Sequence, residues 1–244
     1  MYKGKTVSLI LPTYNEKDSI RAVIEDFEAL EVVDEILVIN NNAAPGTTEE
    51  VAGTTAREIF EPHQGYGAAI RRGFREATGD LIAVCEPDAT FLASDLNKFL
   101  AYAEDVHIVY GSRTCSTFVW EGANMNKFLK WGNWAVAKML EFFFNTNSLT
   151  DVGCTFRIIR RSALRELEPY FSVSSNFFGP EMIILGYLRQ LSSVQIPVNY
   201  LKRVGESSVT GDMRKAFVLG VKMILLIVTY RLGLQRMVVP ILDR

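Results

Sequence analysis

Glu86-Pro87-Asp88-Ala89-Thr90 places two carboxylates two residues apart, with a hydroxyl two further on, directly after the apolar run Leu81–Cys85. Oxygens so spaced at a strand end can act as hard ligands for one Mg2+ or Mn2+, leaving positions for substrate phosphates. The same residues also read as an ordinary turn with solvated acids, shaped by its proline. Gln64-Gly65-Tyr66-Gly67-Ala68 follows another strand-like segment and opens a helix. Glycines there permit tight backbone geometry, and the helix start favours an anion such as a diphosphate. A dinucleotide fingerprint would need a small residue at position 70, which is Ile70, so a simple helix-start turn is the stronger reading of that loop alone. Pro12-Thr13-Tyr14-Asn15-Glu16 offers a ring to stack on a nucleobase and a carboxylate for ribose hydroxyls. Asn15 and Glu16 are equally ordinary helix caps.

These loops need a frame that brings them to one edge. Val7–Leu11, Glu35–Ile39, Glu58–Phe60, Leu81–Cys85 and His107–Tyr110 are short apolar runs of the kind buried on both faces of a parallel sheet. Helix-like stretches lie between them near Ser19–Leu30, Thr47–Ala52, Ala68–Ala77 and Ser94–Ala103, with Ser19 and Ser94 as candidate N-caps. Repeated β-α-β units imply an open, twisted α/β sheet with helices on both faces, whose ligands sit beyond the carboxyl ends of the strands. Further on, Asn126–Phe144 and Ala216–Leu234 read as long apolar helices, with short strands at Phe156–Ile159 and Val194–Val198.

The 244 residues suit one large domain, and 26 basic against 28 acidic residues argue against a nucleic-acid binder. Cys85, Cys115 and Cys154 form no paired motif, so a reducing compartment is expected and the thiols read as packing. His63 and His107 stand apart and receive no catalytic part. No secretory signal is read at the start, and no uncharged apolar run reaches the roughly 18–20 residues that cross a bilayer. The expected location is cytoplasmic, with peripheral contact at the membrane face left open.

The order of the motifs is more specific than any one of them. P-T-Y-N-E after the first strand, N-N-N-A-A-P-G-T after the second, Q-G-Y-G-A-A before a helix ending in A-T-G-D, then E-P-D-A-T and Gly111-Ser112-Arg113 resemble family 2 glycosyltransferases. Asp151-Val-Gly-Cys-Thr-Phe-Arg157 is similar to the D-x-x-(S/C)-G-F-(R/K) segment of the dolichyl- and polyprenyl-phosphate sugar transferases in that family. Arg203-Val-Gly-Glu-Ser-Ser208 is similar to their R-x-x-G-x-S loop, one residue shorter. The resemblance implies a GT-A fold, Rossmann-like with a mixed, mostly parallel sheet and C-terminal amphipathic helices. Within a single catalytic domain it implies a nucleotide-sugar half (1–115), an acceptor half (116–210) and a helical tail (211–244).

The resemblance also implies roles. Glu86, Asp88 and Thr90 match the metal segment for a divalent cation. Pro12, Tyr14, Glu16, Asn40, Gly65, Gly67, Arg71 and Pro87 fall on the nucleotide side. Arg113, Arg157, Arg203 and Ser207 fall near donor or acceptor phosphate. Asp151, Asp88 and Arg113 are the expected catalytic residues. Three positions depart from the pattern: Asn40 replaces a base-recognising Asp, Glu86 replaces the first Asp of the metal motif, and Thr155 replaces a Gly. The expected reaction is inverting transfer of a sugar from a nucleotide-diphosphate donor to a polyprenyl phosphate. That acceptor, with a second pKa of about 6, is largely ionised and needs little general base. A soluble hydroxyl acceptor would instead need a base, for which Asp151 is the candidate. A catalytically silent nucleotide-sugar-binding module is the third reading, motivated by Asn40 and Glu86.

Two helices bear on the acceptor. Lys215, Lys222, Thr229 and Arg236 recur every seven residues as a polar stripe, leaving Phe217, Leu219, Met223, Leu226, Ile227 and Tyr230 on the remaining surface. Lys127, Lys130, Lys138 and Glu141 share a face bordered by Trp131 and Trp134, an interfacial pairing of residue types. Both helices suit a membrane surface or a homodimer contact, or core packing.

Overall fold

The apolar runs become the strands of one sheet in the computed structural model, which describes residues 1–123, 127–205 and 213–243. The strands are β1 (Val7–Thr13), β2 (Glu35–Asn40), β3 (Arg57–Phe60), β4 (Leu81–Val84), β5 (Ile108–Ser112), β6 (Arg157–Arg160) and β7 (Ser193–Pro197). β1 and β4 are buried at every residue, as an apolar run without alternation requires when helices cover both faces. The order is β3-β2-β1-β4-β6-β5-β7. Every neighbouring pair is parallel except those made by β6, which runs antiparallel to β4 and β5. The reversal has a consequence for chemistry. β1, β2, β4 and β5 bring their carboxyl ends to one edge, and β6 brings the segment that precedes it.

On one face, Leu9, Leu11, Val38 and Ala83 pack with Ile20, Ile24 and Phe27 of α1 (Lys17–Glu28) and Phe99 of α4 (Leu96–Tyr102). On the other, Ile10, Leu37, Ile39, Ile82 and Val84 pack with α3 (Tyr66–Glu76) and with the helices of the second half. Those are α5 (Lys127–Phe144), α6 (Arg161–Leu167), α7 (Phe178–Leu188) and α8 (Met213–Arg231). α2 (Thr47–Ala52) bridges β2 and β3, and α9 (Gln235–Leu242) follows α8.

Some boundaries differ from expectation. Ser19 lies inside the first turn of α1, where its hydroxyl donates to the Pro87 carbonyl at 2.6 Å and ties α1 to the acidic loop. Ser94 sits in a 3-10 turn (Ala93–Asp95) and makes no side-chain cap. α6 and α7 have no counterpart in the reading above. α7 shows no amphipathic pattern because Phe178 through Gly186 are all buried. The expected single helix Ala216–Leu234 ends at Arg231, turns at Gly233 (φ 72°) and restarts as α9, so Arg236 leaves the stripe. The stripe is not the solvent face either: Thr229 is buried and Lys222 Nζ donates to the Leu242 carbonyl at 2.9 Å. Met223, Leu226, Ile227 and Tyr230 are core, while Val218, Val221, Ile224 and Leu225 are exposed. Ser207 and the side chains of Lys127, Lys215 and Phe217 lie outside the described residues.

Candidate active site

A cleft of about 740 Å³ opens at the carboxyl edge of the sheet. Its floor at one end carries Pro12, Tyr14, Glu16, Glu86, Asp88 and Thr90; Arg113 and Arg203 also line it. Glu16 closes the β1–α1 turn on itself: its Oε2 accepts the Tyr14 and Asn15 amides at 2.7 and 2.9 Å. Thr90 fixes Asp88, donating to Oδ1 from its amide at 3.0 Å and its hydroxyl at 2.6 Å. Arg203 then spans the two carboxylates, with Nη2 2.7 Å from Glu16 Oε1 and Nη1 3.0 Å from Asp88 Oδ2. Among the described residues Glu86 has no such partner. Burial, and next the charge of Asp88, push its carboxyl up to about 8, against the smaller pull of Arg203.

Arg113 sits on the β5 flank. Its Nε and Nη2 grip Asp151 Oδ2 and Oδ1 at 2.8 and 3.0 Å, and its own amide adds a third bond at 3.0 Å. The Gly153 amide completes the set on Oδ1 at 3.0 Å. Burial works against both charges, but their mutual attraction prevails, holding Asp151 below the usual carboxylate range and Arg113 above its own. The Arg113 guanidinium lies 5.3 Å from the Tyr200 ring centroid. Asp151 therefore departs from the expected general base: its side chain is 0% exposed and both oxygens are occupied by N–H donors.

Other expected residues are placed elsewhere. Arg157 is 1% exposed and donates to the Cys154, Thr155 and Gly179 carbonyls, so it organises the approach to β6 instead of meeting a phosphate. Arg71, Gly67 and Pro87 do not line the cleft. Gly67 is required for another reason, because a Cβ there would lie 2.8 Å from the Val173 carbonyl oxygen. Gly65 does line the cleft, with φ 147° and the Ser174 carbonyl oxygen 2.3 Å from where its Cβ would be. Asn40 spends its amide locally, donating to Glu58 Oε1 at 2.7 Å and accepting the Ala43 amide at 2.8 Å.

The neighbouring Asn41 is the residue that reading from the sequence passes over. It lines the cleft, donates to the Glu61 and His63 carbonyls at 2.9 and 2.7 Å, and accepts the Gly65 amide at 2.8 Å. It thus holds the β2 and β3 loops to the α3 start. Two distant acids act on the other side of that start. Glu181 of α7 accepts the Ser172 and Val173 amides at 3.0 and 3.1 Å and the Tyr230 hydroxyl at 2.6 Å. Asp243 accepts the Ser174 and Ser175 amides at 2.8 and 3.0 Å, and the Ser174 carbonyl in turn accepts Ala68 N–H at 3.0 Å.

The far end of the cleft is apolar. Gly132, Ala135 and Val136 of α5 and Leu219, Gly220 and Met223 of α8 line it, and among the described residues nothing beyond its own helix turn lies within 4 Å of either glycine's Cβ position. Val221 and Ile224 line the cleft and are also exposed, so this wall continues onto the surface. Trp131, 66% exposed, and Trp134 stand on α5 with their rings 5.6 Å apart. Among the described residues, no helix is long and apolar enough to cross a membrane.

Comparison with known proteins agrees with this layout. The profile of Glycosyl transferase family 2 matches residues 8–168. The low-salt glycan biosynthesis hexosyltransferase Agl6 of Haloferax volcanii is 27% identical over 83% of this chain, which spans 49% of that protein. The dolichyl-phosphate beta-glucosyltransferase ALG5C of Trichomonas vaginalis is 25% identical over 93% of this chain and 72% of its own length. A dolichyl-phosphate hexose transferase of H. volcanii is 24% identical over 84% of this chain and 87% of its own. Among solved structures, glucosyl-3-phosphoglycerate synthase of Mycobacterium tuberculosis, in complex with Mn2+, UDP and glucosyl-3-phosphoglycerate, shares the fold. It superposes with a TM-score of 0.72 at 17% identity, covering 94% of this chain and 81% of that one. With the motifs in order along the strand ends and the family profile running from β1 through β6, the chain belongs to glycosyl transferase family 2 and has the GT-A fold.

Proposed function

We propose that the protein transfers a sugar, with inversion, from a nucleotide-diphosphate donor to a polyprenyl-phosphate acceptor. One observation carries this reading: a single cleft joins the buried acids of the strand ends to an aliphatic groove between α5 and α8. A soluble hydroxyl acceptor would need a base, and Asp151 is committed to Arg113.

The donor set at Glu86 and Asp88 fits Mg2+ or Mn2+. Both are hard carboxylates, and Asp88 Oδ2 would become available where Arg203 turns from it to the diphosphate. Among the described residues no three His, Cys, Asp or Glu side chains converge, so the remaining ligands would come from the donor diphosphate. When bound, the cation would neutralise charge on the departing diphosphate. Tyr14, Glu16, Pro12 and Gly65 bind the nucleoside end, with Asn41 holding that end together and Asn40 shaping its rim.

An acceptor phosphate oxygen attacks the anomeric carbon as the bond from that carbon to the diphosphate oxygen breaks. The electron pair leaves with the nucleoside diphosphate. Arg113, oriented by Asp151, holds the acceptor phosphate, and Arg203 turns its charge to the diphosphate. The exposed Trp131, Trp134, Val221 and Ile224 support a peripheral position on the cytoplasmic membrane face, from which the lipid would enter.

The test is transfer of radiolabel from UDP-glucose and GDP-mannose to farnesyl phosphate in MnCl2, read as butanol-extractable product. Label in that fraction, abolished by EDTA and by Asp88→Ala, is the expected result. Label moved only to water-soluble acceptors, or full activity in Asp88→Ala, would overturn it. Flotation with anionic vesicles tests the membrane face. Dimerisation without lipid, seen by light scattering, would assign the same rim to a second copy of the chain.

A further inference from the structure

Five buried side-chain polar atoms have no hydrogen-bond partner among the described residues: Tyr66 Oη, Thr155 Oγ1, Ser175 Oγ, Arg203 Nε and Gln235 Oε1. The first four belong to residues that line the cleft. Buried polar atoms in folded proteins are almost always satisfied, so four around one cavity point to a ligand that supplies what the chain does not. Arg203 is set apart, because its Nη1 and Nη2 pair with Asp88 and Glu16 and its Nε belongs with that charged end of the cleft. The three others are neutral hydroxyls from three separate elements: the start of α3, the approach to β6 and the loop before α7.

We infer that Tyr66, Thr155 and Ser175 form the wall that reads the hydroxyls of the transferred sugar. This rests on the glycosyltransferase reading above and adds to it the residues that select the donor. Position supports it. Tyr66, Thr155 and Ser175 line the same cleft as Glu86 and Asp88, so the three hydroxyl-bearing residues and the acidic loop share one cavity. Ser175 is attached to the same neighbourhood, since the Ser174 carbonyl accepts Ala68 N–H two residues beyond Tyr66.

Chemistry supports it too. A nucleobase would use Tyr14, a diphosphate would use the charged groups, and a polyprenyl chain would use α5 and α8. What remains between them is a ring bearing several neutral hydroxyls. Ser, Thr and Tyr each donate one hydrogen bond and accept others, so they match such a ring without charge. One change of χ1 rotamer re-aims the Thr155 and Ser175 oxygens. Thr155 is also the position where this chain departs from the glycine of the motif it resembles, adding a hydroxyl to that wall.

A hydroxyl that serves a ligand has a different signature from one that serves the fold. Removing an unpartnered buried oxygen relieves the free protein and harms the complex. Thr155→Val, Ser175→Ala and Tyr66→Phe delete little beyond that oxygen. With MnCl2 present, each is titrated with UDP-glucose, UDP-galactose and GDP-mannose, and with UDP and GDP. For the sugar nucleotide that the unaltered protein binds best, each variant is expected to lose roughly fivefold to tenfold in affinity, the worth of about one hydrogen bond. Affinity for the matching diphosphate should stay within about twofold, and the melting temperature without ligand should hold or rise.

Equal losses for sugar nucleotide and diphosphate, unchanged discrimination between them, or a lowered melting temperature with both affinities intact would overturn the inference. Each of those results leaves the glycosyltransferase reading standing. Failure of the unaltered protein to bind any of the five nucleotides would overturn the proposed donor, and this inference with it.

Discussion

At the strand-end half of the cleft, charged groups are buried and cross-braced: Asp88 by Thr90 and Arg203, Asp151 by Arg113 and Gly153. Between α5 and α8 the wall is glycine and aliphatic side chains apart from Asn133, and its outer rim exposes Trp131, Val221 and Ile224. The first region holds few atoms in fixed places, because charge stabilisation depends on distance and orientation. The second needs width and an apolar lining, since an aliphatic chain imposes no direction. Removing a braced charge should therefore damage folding in the first region, whereas a substitution in the second should damage acceptor binding and spare the fold.

The sharpest break is Asp151→Ala. It leaves the Arg113 guanidinium, 12% exposed, without its partner and should cost about 3–5 kcal/mol in chemical denaturation. The same pair sets an acid limb. An unfolded Asp titrates at about 3.9 and the folded carboxyl lies lower, so the pair's contribution is complete above that value and is lost as pH falls through the folded one. Asp151→Asn should flatten that limb in melting scans between the two values; an unchanged limb would assign acid unfolding to other carboxyls.

A smaller loss is expected for Asp243→Ala, which frees the Ser174 and Ser175 amides, at about 1–2 kcal/mol. Because Ser174 also supports the start of α3, UDP affinity should fall with it. Gly220→Leu reverses the sign. Its new side chain enters open space in the groove, and helix propensity should raise stability by up to about 0.8 kcal/mol. Transfer to farnesyl phosphate should nonetheless drop at least tenfold, on the order of what a steric change in an apolar pocket produces. Smallest of all, Trp131→Ser should change stability by no more than about 0.5 kcal/mol, while flotation with anionic vesicles declines. If Trp131→Ser destabilised the fold as Asp151→Ala does, the contrast between the two halves would be mistaken.

The strands were legible because residues covered on both faces leave unbroken apolar runs, as Val7–Leu11 and Leu81–Cys85 do. The motif loops were legible because each follows such a run. Directions of side chains were not. Arg157 was read as a phosphate ligand, yet only the packing of α7 reveals that it points at the Gly179 carbonyl. Asn40 and Asn41 are the same residue type one position apart, and tertiary contacts decide which of them enters the cleft. Glu181 and Asp243 support the loop before α7 from other elements, and no local pattern announces such a contact. α7 escaped because burial on every side erases the period that marks a helix.

The reversed strand β6 makes its own rule for tolerated length changes. Loops that trail β1, β2 and β4 can gain or lose residues without disturbing pairing upstream of them. The stretch from Asp151 to Phe156 leads into a central strand whose Arg157 pairs with both Val84 and Tyr110. A one-residue insertion there must either pull Asp151 off Arg113 or slip β6 along both neighbours, turning Phe156 and Ile158 out of one core and into the other. Deletions and duplications should therefore accumulate elsewhere in related chains and leave this spacing untouched.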